Sequence, residues 1–349
     1  MSPHPLGIHR SLEPPGTLPQ AARRLDANPR ALENEIAVSL RALNVDSASF
    51  RQLRETERTS GETIEAQVLR IVAERGKLQN PVTGSGGIFL GDVREIGPAH
   101  PAAGDLRPGD RIASLVSLTL TPLHIERIRA VFRSAERVEL DGTAILFART
   151  LWARIPPDFA EEVALAAFDV AGAPATVRRR ARPGDTVVVL GAGKAGLLCL
   201  AAAREAVGPT GRVLAIDPSE AASGRARGVG HADAVLSLDA RDPAAVHHAV
   251  ADATGGELAH LVVNAVNAPG TEVASVLAAR DDGTVLFFGM ATSFAAAALG
   301  AEGVAHPATL LIGNGYVPGH AEEALALLRR HPPLAAVFAG LAGTTAAAH

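Results

Sequence analysis

The stretch "VVVLGAGKAGLLCLAAA" holds six residues whose spacing suits a pyrophosphate: Gly191, Ala192, Gly193, Lys194, Ala195 and Gly196. They follow a β-like run and open an Ala-rich, helix-like one. In G-x-G-x-x-G the first glycine permits a tight turn, the second lets backbone approach phosphate, and the third lets helix and strand pack closely. The helix start then presents its free N–H groups to negative charge. The next β-like run, "RVLAID", ends in Asp217 about twenty residues on, where a carboxylate accepts the hydroxyls of an adenosine ribose. That carboxylate would repel the extra phosphate of NADP, so the pattern points to NAD. NADP is the lesser alternative, reached through Arg225 or Arg227. Two later β-like runs end near Asn264, Ala265 and Val266 and at Gly289, and topology places both ends beside the nicotinamide.

A second stretch, "ALNVDSASF", sets Asp46, Ser47 and Ser49 where an alternating apolar run stops. Asp and Ser in such a place accept backbone N–H bonds and cap a turn. A carboxylate flanked by hydroxyls can also bind a cation and take its proton. The residues alone leave both readings open.

The elements that must position these groups follow from pattern. "NEIAVSLRALNV" alternates through Ile36, Val38, Leu40 and Ala42, which predicts a half-buried strand. Residues 1 to about 150 read as short strands and Gly/Pro-rich turns, with one helical interruption, "GETIEAQVLRIVAERGK". Its apolar face is Ile64, Val68, Ile71 and Val72. From about 155 to 295, buried strands such as "TVVVL", "RVLAI", "AVL", "HLVVNAV" and "TVLFFGM" alternate with Ala-rich helices, the pattern of a parallel sheet covered on both faces. "HAEEALALLRR" predicts a further helix, and the tail "GLAGTTAAAH" is expected to fray.

At 349 residues, 47% apolar and 20% charged, the chain is globular and long enough for two domains. A net charge of −4 gives no electrostatic case for nucleic acid, and the one basic run, "RRRAR", reads as a solvated helix end. No apolar run reaches the ~18 residues of a membrane span, and no secretory signal core is visible. Cys199 is the single cysteine and reads as packing, so an internal disulfide and a multi-cysteine metal site are excluded. A cytoplasmic protein is expected.

Two phrases, "GDVREIG" followed by "DLRPGDRIASLV", and "RPGDTVVVLGAGKAG", resemble the medium-chain dehydrogenases and reductases. The resemblance implies an α/β protein: a GroES-like β-barrel catalytic domain (1–155), a doubly wound Rossmann domain (156–300) and a C-terminal return to the catalytic domain (301–349). More narrowly, "NVDSASF", "ERGK", "NPVTGSGG", "LVSLTLTPL", "AILF" and "FDVAGAPA" resemble, in order, the L-erythro-3,5-diaminohexanoate dehydrogenase family. That implies NAD-linked oxidative deamination of the 3-amino group to 5-amino-3-oxohexanoate and ammonia, as in lysine fermentation. Homodimers or homotetramers are common in the superfamily, and "TVLFFGMATSFAAAALG" is a candidate edge for such contacts.

Zinc-using relatives hold their metal with a Cys, a His and a third ligand. Aligned on "GDVREIG", these fall on Asp46, on Gly87 and near Ala166, a few residues from Asp169. A glycine has no side chain to offer, and catalytic zinc takes about three protein ligands, so a zinc-free site is expected. A carboxylate in the metal's place suits an amine, whose ammonium must lose a proton before hydride can leave its carbon. Asp46 is the first candidate base and Asp169 the alternative. For the rest of a substrate with two ammonium groups and one carboxylate, Glu74 is a candidate for an amine, and Arg75 or Lys77 for the acid. Ser47, Ser49, Thr83 and Ser85 are candidates for the remaining hydrogen bonds. Two rivals keep the fold: a zinc-independent quinone or enoyl reductase, and a non-catalytic NAD(H)-binding protein.

Overall fold

The run "EIAVSLRALN" forms the centre of an antiparallel sheet. The computed structural model describes residues 3–289, 291–313 and 315–347. It divides into two units: the chain up to Glu161 with the last residues from Gly343, and Glu162–Ala342. The first unit begins with a short pair, β1 (Ser11–Glu13) and β2 (Arg24–Leu25). There follow β3 (Glu35–Asn44), α1 (Ser47–Ser60), α2 (Ile64–Arg75), β4 (Ile88–Ile96), β5 (Arg111–Ser114), β6 (Leu123–Phe132), β7 (Arg137–Phe147) and β8 (Trp152–Arg154). The sheet order is β6-β7-β3-β4-β5-β8, with every neighbour antiparallel. Register shifts on β3 before Ala42, against both neighbours, bend it as a barrel wall must bend.

Two expectations for this unit change. β3 is not half-buried: Ile36, Ala37 and Val38 are all fully buried. The apolar face of α2 shares a core with Ile36, Val38, Leu40 and Leu43, while Ala37 packs with Ile145 and Phe147 in a second cluster. There are also two helices where one was expected. α1 is polar, and among its described residues Phe50 and Leu53, one turn apart, are the only buried apolar side chains, so its apolar periodicity is too thin to read. Its ends are nonetheless marked, by Asp46 at the N-cap and Gly61 at φ 77 after the last turn.

The second unit runs α3 (Glu161–Phe168), α4 (Gly172–Arg180), β9 (Thr186–Leu190), α5 (Lys194–Val207), β10 (Arg212–Ile216), α6 (Glu220–Val229), β11 (Ala234–Leu236) and α7 (Pro243–Thr254). It continues with β12 (Ala259–Asn264), α8 (Glu272–Leu277), β13 (Ala279–Phe287), α9 (Phe294–Gly303), β14 (Thr309–Ile312), α10 (His320–Arg330) and α11 (Pro332–Ala347). The six parallel strands lie in the order β11-β10-β9-β12-β13-β14. This is the doubly wound arrangement, in which chain direction across the sheet reverses between β9 and β12 and leaves a crevice at the strand ends.

Residues 309–312 extend the parallel sheet: Leu310 and Leu311 pair with Val285 and Leu286, making β14 its edge among the described residues. β13 is therefore internal, and "TVLFFGM" supplies no edge; Met290, at its end, lies outside the described residues. The tail expected to fray continues α11 to Ala347. Among the described residues no helix is long and apolar enough to cross a membrane.

Gly87 lets β3 and the segment before β4 approach. Its φ is 107, and a Cβ there would run into the Asn44 carbonyl and lie 2.8 Å from the Val45 Cα. Gly87→Ala is expected to lower stability by about 2–3 kcal/mol, read as a fall in the denaturant midpoint at unchanged slope.

Candidate active site

Asp46 is both a helix cap and something more. With β-region φ and ψ it stands just before α1, and its Oδ1 accepts the Ser49 N–H at 2.9 Å. That bond satisfies one of the donors that a helix start leaves free. Its Oδ2 is buried and has no hydrogen-bond partner. A carboxylate oxygen withdrawn from water without a donor is costly, and such atoms mark places where a ligand completes the bonding. An ammonium group would supply the missing donors and charge.

Around it, Ser49 is 1% exposed, and its Oγ lies 2.6 Å from Thr83 Oγ1. Thr83 Oγ1 also accepts the Ser85 N–H at 3.3 Å. The structure thus brings Asp46, Ser49, Thr83 and Ser85 into one hydrogen-bonded patch. Ser47 opens α1, and its side chain lies outside the described part of the structure. Sequence reasoning missed the residue that holds this patch together. Asn80 is 2% exposed; its Oδ1 accepts the N–H groups of Val82 and Thr83, and its Nδ2 donates to Gln52 Oε1 of α1 at 2.7 Å. The signal was present in "QNPVTGSGG", where an Asn before Pro and Gly favours a side-chain-closed turn.

The other three acid and base candidates of this unit stand at the end of α2, outside that patch. Glu74 is exposed in the last turn, and Arg75 is half-buried beside it. Lys77 departs from its expected role. It is fully buried, and its Nζ donates to the carbonyls of Pro19 at 2.7 Å and Gln20 at 3.2 Å, so it ties down the N-terminal segment rather than clamping a substrate. Burial, helped by the charge of Arg75, pushes its pKa down from 10.5 to about 8. Such a buried amine is invisible in sequence, because only the fold decides which lysine loses its water.

In the second unit the fingerprint is built as its glycines require. Gly191 has φ 90, and a Cβ there would press on the Ala265 carbonyl at 3.2 Å. A Cβ on Gly196 would enter the Gly191 carbonyl. Gly193 is the N-cap of α5 and offers no side chain, so the N–H groups at the helix start face outward without an internal cap. Asp217 fixes the turn from the next strand: Oδ2 accepts the Ala192 N–H and Oδ1 the Ser219 N–H, each at 2.8 Å. Carboxylate oxygens accept more than one donor, so both remain able to take ribose hydroxyls. Ala195 follows Lys194 in the first turn of α5.

At the far side of the crevice, the Ala265 N–H donates to the Leu190 carbonyl at 2.9 Å, which joins the ends of β9 and β12. Asn264 contributes differently from expected. Its side chain is buried and used inward, donating to Thr271 and Ser275 hydroxyls at 2.8 Å and accepting the Val266 N–H at 3.0 Å. It shapes the turn that presents Ala265 and Val266, leaving their backbone for a ligand. Gly289 is needed because a Cβ would enter the Val266 carbonyl. Asp169 follows α3 with 63% of its side chain exposed, and its Oδ2 lies 3.9 Å from Lys194 Nζ. It does not cap α4, whose N-cap residue is Ala171. The chain's residues therefore fit a nicotinamide dinucleotide. Cys199 is fully buried in α5, and burial pushes its thiol pKa up, which leaves it inert packing. Among the described residues, no group of three or more His, Cys, Asp or Glu side chains is arranged to hold a metal ion.

Residues 9–156 match the model of the L-erythro-3,5-diaminohexanoate dehydrogenase N-terminal domain. The L-erythro-3,5-diaminohexanoate dehydrogenase of Acetoanaerobium sticklandii is 46% identical over 93% of this chain and 94% of its own. The chain belongs to the L-erythro-3,5-diaminohexanoate dehydrogenase family. The enzyme of that name from Fusobacterium nucleatum subsp. nucleatum is 44% identical over 95% of this chain and 96% of its own. An alcohol dehydrogenase from Thermotoga maritima shares the fold, with a TM-score of 0.57 at 18% identity, over 88% of this chain and 85% of that one. The chain thus shares its fold with an alcohol dehydrogenase, and the named relatives of its family are dehydrogenases of a diaminohexanoate.

The Lys77 amine gives this family fold a pH signature. Between about 8 and 10.5 it is neutral when folded and protonated when unfolded, so unfolding takes up a proton there. The stability of the wild type relative to Lys77→Met is expected to rise across that window and to level off above it. Denaturant titrations of both proteins from pH 7 to 11 measure this.

Proposed function

We propose that the chain catalyses NAD-dependent oxidative deamination of L-erythro-3,5-diaminohexanoate to 5-amino-3-oxohexanoate and ammonia. The observation that carries the reading is the buried, unpartnered Oδ2 of Asp46 in a family named for a diamino acid. The overall change is substrate ammonium plus NAD⁺ and water giving ketone, NADH, ammonium ion and one proton. Asp46 holds the 3-ammonium through Oδ2 while Oδ1 stays anchored to α1, so the carboxylate cannot swing away. It takes a proton from the nitrogen, which leaves the nitrogen lone pair free to assist loss of hydride from C3. When bound, NAD supplies the hydride acceptor. Asp46 passes the nitrogen's proton to solvent; the iminium then adds water, and the carboxylate, ionised again, accepts a proton from that water and returns it to the departing nitrogen. Ser49 and Thr83 hydrogen-bond the substrate beside Asp46, with Ser47 and Ser85 at the margins of the patch. With Lys77 engaged elsewhere, Arg75 is the cation left for the substrate carboxylate and Glu74 the anion for the 5-ammonium. Asp169 serves as the second base only if Asp46 does not.

The cofactor preference rests on Asp217, whose charge opposes a ribose phosphate. The zinc-free reading rests on Gly87, which has no side chain where a ligand would stand and which packs too closely to Asn44 to admit one. Association of copies belongs to the same reading. Phe294, Leu299, Val304, Ile312 and Tyr316, all 42% exposed or more, cluster in sequence around the open edge strand β14, where a second copy would cover them. A cytoplasmic home accords with a lone, buried, unpaired cysteine.

Reduced-nicotinamide absorbance with purified protein, NAD and L-erythro-3,5-diaminohexanoate tests the reading. NADH and ammonia are expected in equal amounts, at a rate unaffected by chelators and at least about ten-fold better with NAD than with NADP, as a repelled phosphate requires. NADH binding without turnover would overturn the substrate assignment and leave the dinucleotide fold standing.

A further inference from the structure

The first residue of α8 is a glutamate removed from water. An acid in the first turn suits the helix dipole, but such residues ordinarily stay solvated. Glu272 is 3% exposed. Its Oε1 accepts the Ser293 N–H at 2.8 Å, and its Oε2 accepts the Gly270 N–H at 3.1 Å. Among the described residues no cation meets either oxygen. Burying a carboxylate without a counter-ion is costly, and backbone N–H groups on both oxygens offset that cost.

The two N–H groups belong to different segments. Gly270 lies in the turn after β12, whereas Ser293, 21 residues beyond Glu272, is the N-cap of α9 after β13. These segments already touch where they leave the sheet. The Phe288 and Gly289 N–H groups donate to the Asn264 carbonyl at 2.9 and 3.2 Å, and Gly289 lies against the Val266 carbonyl. Glu272 makes a second tie, farther along both segments. A neutral side chain of the same size cannot make it. Two converging donors need two acceptors, and a glutamine would set its own NH2 against one of them.

What the tie controls follows from the sheet. A ligand sits at the carboxyl ends of the strands, around the reversal between β9 and β12. Asp217, at the end of β10, marks the adenosine side, so the ends of β12 and β13 are left for the other half of a dinucleotide. We propose that Glu272 is a positioning residue for the nicotinamide half. It holds the segments after β12 and β13 at one spacing and so presets the backbone of Ala265, Val266 and Gly289 to receive that half. This rests on the dinucleotide reading of the fingerprint and is independent of which amine is oxidised.

Glu272→Gln tests the assignment, with NADH and ADP as probes in calorimetric titrations of variant and wild type. ADP carries the adenosine and both phosphates but no nicotinamide. NADH affinity is expected to fall about ten-fold, the effect of losing one charge-assisted hydrogen bond, with ADP affinity kept within about two-fold. Equal losses for both probes, with a lower thermal midpoint, would mark Glu272 as a support of the whole domain and overturn the role. Unchanged affinity for both would overturn it as well. A wild type that binds neither probe would overturn the dinucleotide reading and this role with it.

Discussion

The Ser49 N–H bond to Asp46 Oδ1 is the constraint on which the candidate chemistry depends. It turns a flexible carboxylate into a fixed one and commits one oxygen to the start of α1, so the other must remain where the fold puts it. That second oxygen is buried without a donor, an arrangement a protein keeps at a place where something else will bind. The two readings of "NVDSASF" are therefore compatible: the cap commits one oxygen and leaves the other for the role proposed for it.

Close backbone approach does the corresponding work throughout. Gly87 lets the loop before β4 lie against the end of β3, and Gly191, Gly196 and Gly289 let three strand ends and a helix meet in the parallel sheet. At Gly87, Gly196 and Gly289 a methyl group would collide with a carbonyl, and at Gly191 it would press on one. At Gly87 this approach leaves no room for a side chain against Asn44 and Val45, and before α5 Gly193 leaves the helix start without a side-chain cap. The two units thus solve opposite problems with the same residue type.

Much of this was legible in sequence because it is local. The strand runs "TVVVL" and "RVLAI", the glycine spacing and Asp217 depend on neighbours along the chain, and each lies where its pattern said. The half-buried reading of β3 failed for a reason that a single strand cannot reveal. α2 packs with the face of Ile36, Val38 and Leu40, while Ala37 on the other face is buried beside Ile145 and Phe147 of the neighbouring strand, with Ala31 against them. α1 was hidden by its polarity, although both its caps were in plain view. Lys77 departs from its expected part because a polar side chain near the family-like segments was taken to face a ligand, and instead it holds backbone. Asn80 and Glu272 escaped notice because their importance rests on which hydrogen bonds are made across distant segments.

The most direct test replaces one atom. Asp46→Asn keeps an oxygen to cap α1 and removes the charge that holds and deprotonates the ammonium. Steady-state turnover of the diamine, with NADH titration on the same preparation, should show a fall in kcat of about a hundred-fold or more at unchanged NADH affinity and nearly unchanged stability. Turnover within about two-fold of the wild type, below any effect a lost general base produces, would contradict the account and remove Asp46 from the mechanism.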